Sequence, residues 1–208
     1  PQQHTLLRRQ RQMCIRDSDT LAWAMKNPGT PTLVSPAESP VYDNMQEKVN
    51  LHSIAIPHHW PQDRGRYMSA SVIIAEVNGQ RNMSFHRQFL RDENHLVVRL
   101  VPRHLRTMVD QARERGEEVN IAIVNAPDPV VLLAGAMSFD EPIDELTIAA
   151  ALHEKLYEKQ LQLVELPNGI QVPADAEYAM WGRITLDDDD EGPYLSLIHI
   201  SEPTRPSI

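Results

Sequence analysis

Between Ser71 and Val101 the chain carries three runs that read as strands, joined by turn signals. Ser71–Val77 is apolar along most of its length. Asn78-Gly79 then supplies the favoured two-residue hairpin connection, because both positions need a positive φ. The return run Asn82–Phe89 is expected to be the antiparallel partner, and His95–Val101 follows Asp92-Glu93-Asn94 as a third strand. After Pro102 the period changes from two to that of a helix: Leu105, Met108, Val109 and Ala112 share one face, and Gly116 marks the stop. Val119–Val124 reads as a β-branched strand and Pro129–Met137 as a buried helix. Pro142 is expected to open a further helix with Asp144 and Glu145 in its first turn. Lys159–Leu166 and Ile170–Val172 flank the turn Pro167-Asn168-Gly169, and Ala176–Leu186 is the last strand. The stretch 19–46 is Pro-rich, with one short helical piece at Leu21–Met25. These elements predict an α+β fold with a mainly antiparallel, barrel-like sheet and interspersed helices.

Composition narrows the class. A chain of 208 residues with 41% hydrophobic and 24% charged residues has the make-up of a globular domain with its own core. No apolar run approaches the roughly 18 residues of a membrane span. A formal charge of -9 argues against a nucleic-acid-binding surface. The two ends read differently from the middle. Residues 1–18 and 195–208 are similar to peptides translated from sequencing-adapter DNA, and are expected to be artefacts. The sole cysteine, Cys14, falls there, and without those ends the charge moves to about -12. The expected organisation is then 19–48 as the end of an N-terminal region or linker, and 49–194 as the domain.

The densest polar chemistry lies in Gly79–His104. On an extended strand Asn82, Ser84 and His86 share one face, and Met83, Phe85 and Arg87 the other. The polar set can face solvent or line a ligand site; spacing leaves both open. Arg87, set among apolar neighbours, needs an anion. Bringing Asn82 and Arg87 to one ligand requires a bulge or twist. His104 starts a helix and suits either a cap or a metal ligand. Glu145 suits a macrodipole contact as well as a ligand role. His58-His59 point opposite ways on extended backbone and chelate poorly together. Asp187–Asp190 reads as a solvated loop, and Gly192-Pro193 forms a rigid turn that could aim Glu191. No glycine-rich phosphate loop, zinc-type cysteine spacing or Gly-x-Ser-x-Gly elbow is present.

Taken in order, Asp63-x-Gly65-Arg66-Tyr67, Asn82-x-Ser84-x-x-Arg87, His104, Met137, Glu145, Val172-Pro173-Ala174-Asp175-Ala176-Glu177 and Glu191-Gly192-Pro193-Tyr194 resemble the UbiD-like decarboxylases from about Val41 to Tyr194. The resemblance implies a split β-barrel flavin-binding domain and a reversible carboxy-lyase that uses prenylated FMN. It implies that Asn82, His104 and Glu145 hold a divalent metal, Mn2+ or Mg2+, bridging to the flavin phosphate, with Ser84 on the phosphate side. Oxygen donors of this kind suit a hard cation. Arg103 and Met137 are implied to contact the cofactor, and the carbonyls of Ala134, Gly135 and Met137 to hold a monovalent cation, usually K+. Arg87, also beside the cofactor, and Glu191 match the catalytic arginine and its paired glutamate. The third carboxylate of the family's group falls at position 196, where this chain has Ser196. Further departures are Ser71, Arg103 and Trp181.

The implied substrate is a small α,β-unsaturated or aromatic carboxylic acid, and a separate flavin prenyltransferase is the implied cofactor supplier. The full-length protein is expected to be a cytoplasmic homo-oligomer without a membrane span or nucleic-acid partner, and the present fragment to be inactive. Two other classes compete: a non-catalytic flavin- or phosphate-binding module, and a metal hydrolase built on His58, His59 and His104.

Overall fold

The central element is a four-stranded antiparallel sheet whose middle strand is apolar on both faces. The computed structural model describes residues 17–46 and 48–194. Cys14, Ser196 and nearly all of the two expected artefact segments lie outside them. The sheet has the order β10-β7-β3-β4, built from β3 (Val72–Val77), β4 (Gln80–Phe85), β7 (Val119–Asn125) and β10 (Tyr178–Ile184). Within β3, Val72 and Ile74 pack with Ala122 and Val124 against α3 (Pro129–Gly135) and α4 (Glu145–Tyr157). Ile73 and Ala75, on the other face, pack with Ile121 against Leu105, Met108, Val109 and Ala112 of α2 (His104–Glu114). Both faces are therefore covered, which is why Val72–Ala75 reads as an unbroken apolar run rather than an alternating one.

Asn78 and Gly79 have φ of 55° and 76°, and Val77 pairs with Gln80, so the expected hairpin forms with both turn residues left-handed. The return strand differs from expectation. It ends at Phe85, and after His86-Arg87 the chain resumes as β5 (Gln88–Leu90) in a second sheet with β2 (Tyr67–Met68) and β6 (Leu96–Val98), order β2-β5-β6. Both strands of the ribbon break together, since β2 pairs with β5 just as β3 pairs with β4. Across the break the Gln88 side-chain amide donates to Ser71 Oγ (3.1 Å) and to the His86 carbonyl (3.0 Å), and all three residues are buried. Asn82, Ser84 and His86 keep the shared face expected of them, but a strand's period of two does not carry through the break, and Arg87 parts from Met83 and Phe85 to meet Glu191. Asn82, Met83 and His86 are all buried, whereas Phe85 is exposed.

A third sheet joins β1 (Thr32–Val34), β8 (Gln162–Glu165) and β9 (Gln171–Pro173), with β1 parallel to β8. The 19–48 stretch, expected as the end of an N-terminal region or a linker, contributes a strand. Three residues with two of them exposed leave too little periodicity to announce it. Ahead of β1, residues 17–26 are helical (α1). Asp144 is not in the first turn of α4. It is the N-cap, its carboxylate accepting from the Leu146 N–H at 3.0 Å, and Pro142 lies outside the helix. That leaves Glu145 as the first helical residue, directed inward and only 3% exposed. The three sheets are mainly antiparallel, and no closed barrel is formed among the described residues.

Candidate functional site

The second strand of the hairpin and the starts of two helices converge on a cavity of about 740 Å³. Asn82, Ser84 and His86 reach it from β4 and the break, Arg103 and His104 from the start of α2, and Glu145 from the start of α4. Gly135, Met137 and Ser138, at and just after the end of α3, line another side. Glu145 is the anchor. Its carboxylate accepts from Asn82 Nδ2 (2.9 Å) and from the Met83 backbone N–H (2.8 Å), so it also closes one bond on the outer edge of the sheet. Burial pushes its pKa up to about 7, against the hydrogen bonds, which pull the other way. Ser84 Oγ lies 3.0 Å from both Asn82 Oδ1 and His86 Nε2. His86 Nδ1 faces the Arg99 carbonyl at 3.1 Å, which in the neutral ring makes Nδ1 the donor and Nε2 an acceptor. One hydroxyl hydrogen therefore serves two acceptors, and burial also holds the His86 pKa below its ordinary value.

These groups fit a hard divalent cation. A buried carboxylate with only neutral N–H partners, an amide oxygen short of a full donor and an imidazole on the same cavity are oxygen-rich donors, and a cation would favour ionised Glu145. Among the described residues no group of three or more His, Cys, Asp or Glu is placed to hold a metal. The histidine set for a hydrolase is accordingly not assembled: His58 Nε2 is 3.3 Å from the Asp63 carbonyl, His59 Nε2 is 3.2 Å from Ser69 Oγ, and His104 Nε2 is 3.4 Å from the Asp140 carbonyl. Ala134 lies behind the cavity wall, fully buried, with its carbonyl accepting from the Met137 N–H at 3.1 Å. Arg103 reaches across to Ser138 Oγ at 2.9 Å.

Arg87 is not among the residues lining this cavity, although its neighbour His86 is. The break turns it toward Glu191. Its Nη2 donates to one carboxylate oxygen at 2.8 Å and Nε to the other, a bidentate fork. Arg87 Cζ lies 4.8 Å from the Tyr194 ring centroid. The pairing with Glu191 raises the guanidinium pKa. Nη1 makes no hydrogen bond among the described residues. Gly192, at φ +71°, sits where a Cβ would meet the Arg64 side chain, so any other residue there would be strained and would push Arg64 aside. His86, Tyr67, Tyr194 and Arg64 were given no role by the sequence. Tyr67 and Tyr194 lay inside quoted motifs and His86 in the alternation with Asn82 and Ser84, while Arg64 had no signal.

Residues 32–207 match the family model described as the 3-octaprenyl-4-hydroxybenzoate carboxy-lyase Rift-related domain, UbiD. The chain belongs to the UbiD family. The chain is 38% identical over 162 residues to the anhydromevalonate phosphate decarboxylase of Methanothermobacter thermautotrophicus, covering 76% of this chain and 37% of that protein. The corresponding enzyme of Archaeoglobus fulgidus is 37% identical over 152 residues, 72% of this chain and 33% of its own length. The UbiD-class enzyme HmfF from Pelotomaculum thermopropionicum, solved in complex with prFMN, superposes with a TM-score of 0.75 at 34% identity, over 80% of this chain and 39% of that one. This UbiD-family chain thus spans about a third to two-fifths of the length of these relatives. The motif-based family reading is confirmed.

Proposed function

We propose that the chain is the flavin-binding core of a non-oxidative carboxy-lyase that uses prenylated FMN. The observation that carries this reading is the Arg87–Glu191 fork, formed at the residue next to a cavity walled by Asn82, Ser84, His104 and Glu145. Asn82, His104 and Glu145 would hold Mn2+ or Mg2+, Ser84 and Arg103 would meet the cofactor's polar side, and the carbonyls of Ala134, Gly135 and Met137 would hold K+. The HmfF complex supports the flavin assignment. We read the three sheets as the split β-barrel of the family.

The cofactor, when bound, supplies the electron sink for loss of carbon dioxide. The protein's own part is binding and orientation. Glu191 neutralises and fixes the Arg87 fork, and Arg87 offers Nη1 to the substrate carboxylate before the carbon–carbon bond breaks. The position that the family fills with a third, proton-supplying acid is Ser196 in this chain. On the strength of the relatives' name, the substrate of first choice is anhydromevalonate phosphate, an unsaturated acid; aromatic acids follow. The same reading puts the reaction in the cytoplasm, in a homo-oligomer, with a flavin prenyltransferase as supplier. Among the described residues no helix is long and apolar enough to cross a membrane.

The test has two parts. Metal and FMN binding are measured on the 208-residue chain, and turnover on the full-length protein loaded with prenylated FMN, presented with anhydromevalonate phosphate and a panel of acrylic and aromatic acids. Carbon dioxide release that disappears in Arg87→Ala supports the enzyme. Flavin binding without turnover of any acid would replace it with the non-catalytic binding module.

A further inference from the structure

We infer that Tyr67, with Arg64 beside it, is a positioning residue that builds the Arg87–Glu191 pair. The inference rests on the reading of that pair as the substrate-facing fork. Glu191 lies beyond the acidic run Asp187–Asp190, in a segment without regular secondary structure, where the Gly192 N–H donates to Asp190 Oδ1 at 2.9 Å and shapes the turn locally without tying it to the sheets. Tyr67 does this from 124 residues away in sequence. Its hydroxyl donates to the Glu191 carbonyl at 2.8 Å and lies 3.3 Å from the Pro193 carbonyl. The same ring packs on Tyr194, centroids 4.6 Å apart, and Tyr194 is the ring under the Arg87 guanidinium. One fully buried side chain thus touches both the residue that carries the carboxylate and the residue that supports the guanidinium.

Tyr67 is itself held. It lies in β2, opposite Phe89 of β5, its N–H donates to the Pro57 carbonyl at 3.0 Å, and its ring is 5.3 Å from Phe89. Burial raises its phenol pKa, so the hydroxyl keeps the hydrogen it donates. Arg64 closes the other side. Its backbone N–H donates to the Pro193 carbonyl at 2.9 Å and its guanidinium to the Asp190 carbonyl, while the side chain wraps Gly192 and covers the Phe89 ring. The turn Glu191–Tyr194 is therefore clamped onto the β2–β5 ribbon. Arg87 immediately precedes β5, so the same ribbon sets both halves of the fork.

The experiment reads hydrogen exchange of the Arg87 Nε–H by NMR on the 208-residue chain, with the resonance assigned by its loss in Arg87→Lys. Tyr67→Phe keeps the ring and removes the hydroxyl. It should speed this exchange by about ten-fold or more, while the backbone amides of β3 and β7 keep their protection. Arg64→Met, which keeps an apolar stem over Phe89, should speed it by about three-fold. In a Glu191→Gln background Tyr67→Phe should add less than about two-fold, because its effect passes through Glu191. Exchange within about two-fold of the parent in Tyr67→Phe, or an equal acceleration with and without Glu191, overturns the inference. Turnover separates the two readings. If Tyr67→Phe deprotects Arg87 but Arg87→Lys in the cofactor-loaded full-length enzyme turns over normally, the catalytic reading fails and the positioning role stands.

Discussion

The two carboxylates of the candidate site, Glu145 and Glu191, are embedded in opposite ways. Glu145 is buried at the start of a helix with two neutral N–H donors and is not ion-paired to any cationic side chain among the described residues. Glu191 is partly buried and has its cation built in, the forked Arg87. The difference teaches what each can do. A carboxylate left without a protein cation at a cavity is a charge waiting for a ligand, and its pKa of about 7 records the cost of desolvation. A carboxylate already paired binds no further cation well, but it fixes its arginine and leaves one edge of that arginine for an anion. Under the proposed function, one carboxylate would face a metal and the other, through Arg87, a substrate acid.

The largest effect that can break this comparison is on turnover. Arg87→Ala should lower carbon dioxide release by the loaded full-length enzyme about 10²–10³-fold, the scale for losing one oriented charged donor. A smaller loss would remove Arg87 from the substrate side. Next is metal affinity, read by calorimetry with Mn2+: Glu145→Gln should weaken binding by at least about 100-fold, and Glu191→Gln should leave it within about three-fold. Thermal stability then separates the two in sign. Without metal at pH 8, Glu145→Gln should hold or raise the melting temperature, since it removes a desolvated charge. Glu191→Gln should lower stability by about 1–3 kcal/mol by stranding Arg87.

The pH dependence follows from the same asymmetry. Glu145 ionises near 4.5 in the unfolded chain and about 7 in the folded one. Its contribution is therefore fully present below about 4.5 and is lost as pH rises to about 7, on the order of 3 kcal/mol in the metal-free protein. Denaturant titrations across that window should show the slope, and Glu145→Gln or saturating Mn2+ should flatten it. The smallest effect is local. Gly192→Ala should destabilise by about 1–2 kcal/mol at a φ of +71° and displace Arg64, read as faster exchange in the 188–194 segment.

Much of the architecture was legible because it is written in local rules. Asn78-Gly79 announced its turn, the spacing of Leu105, Met108, Val109 and Ala112 announced α2, and Pro167-Asn168-Gly169 announced the β8–β9 hairpin. The short strands β1 and β2 were not legible, since two or three residues carry no period and their pairing partners lie far along the chain. The motif residues of the site were legible as types in order, and so was the shared face of Asn82, Ser84 and His86; the direction of Arg87 was not. Asn82 and Met83, adjacent on the strand, are both buried, because α3 and α4 cover one side of β4 and Glu145 caps its edge.

The sequence by itself determined the family, the hairpin, the helix faces and which residue types the site would hold, because these depend on short spacings and ordered motifs. Only the tertiary structure decided where those groups go. The break at His86-Arg87, stapled by Ser71 and Gln88, sends Asn82 and His86 to the cavity and Arg87 to Glu191. The clamp of Tyr67 and Arg64 on the Glu191 turn joins residues more than 120 positions apart in sequence. Such contacts arise when sheets stack and loops dock, and no local period encodes them.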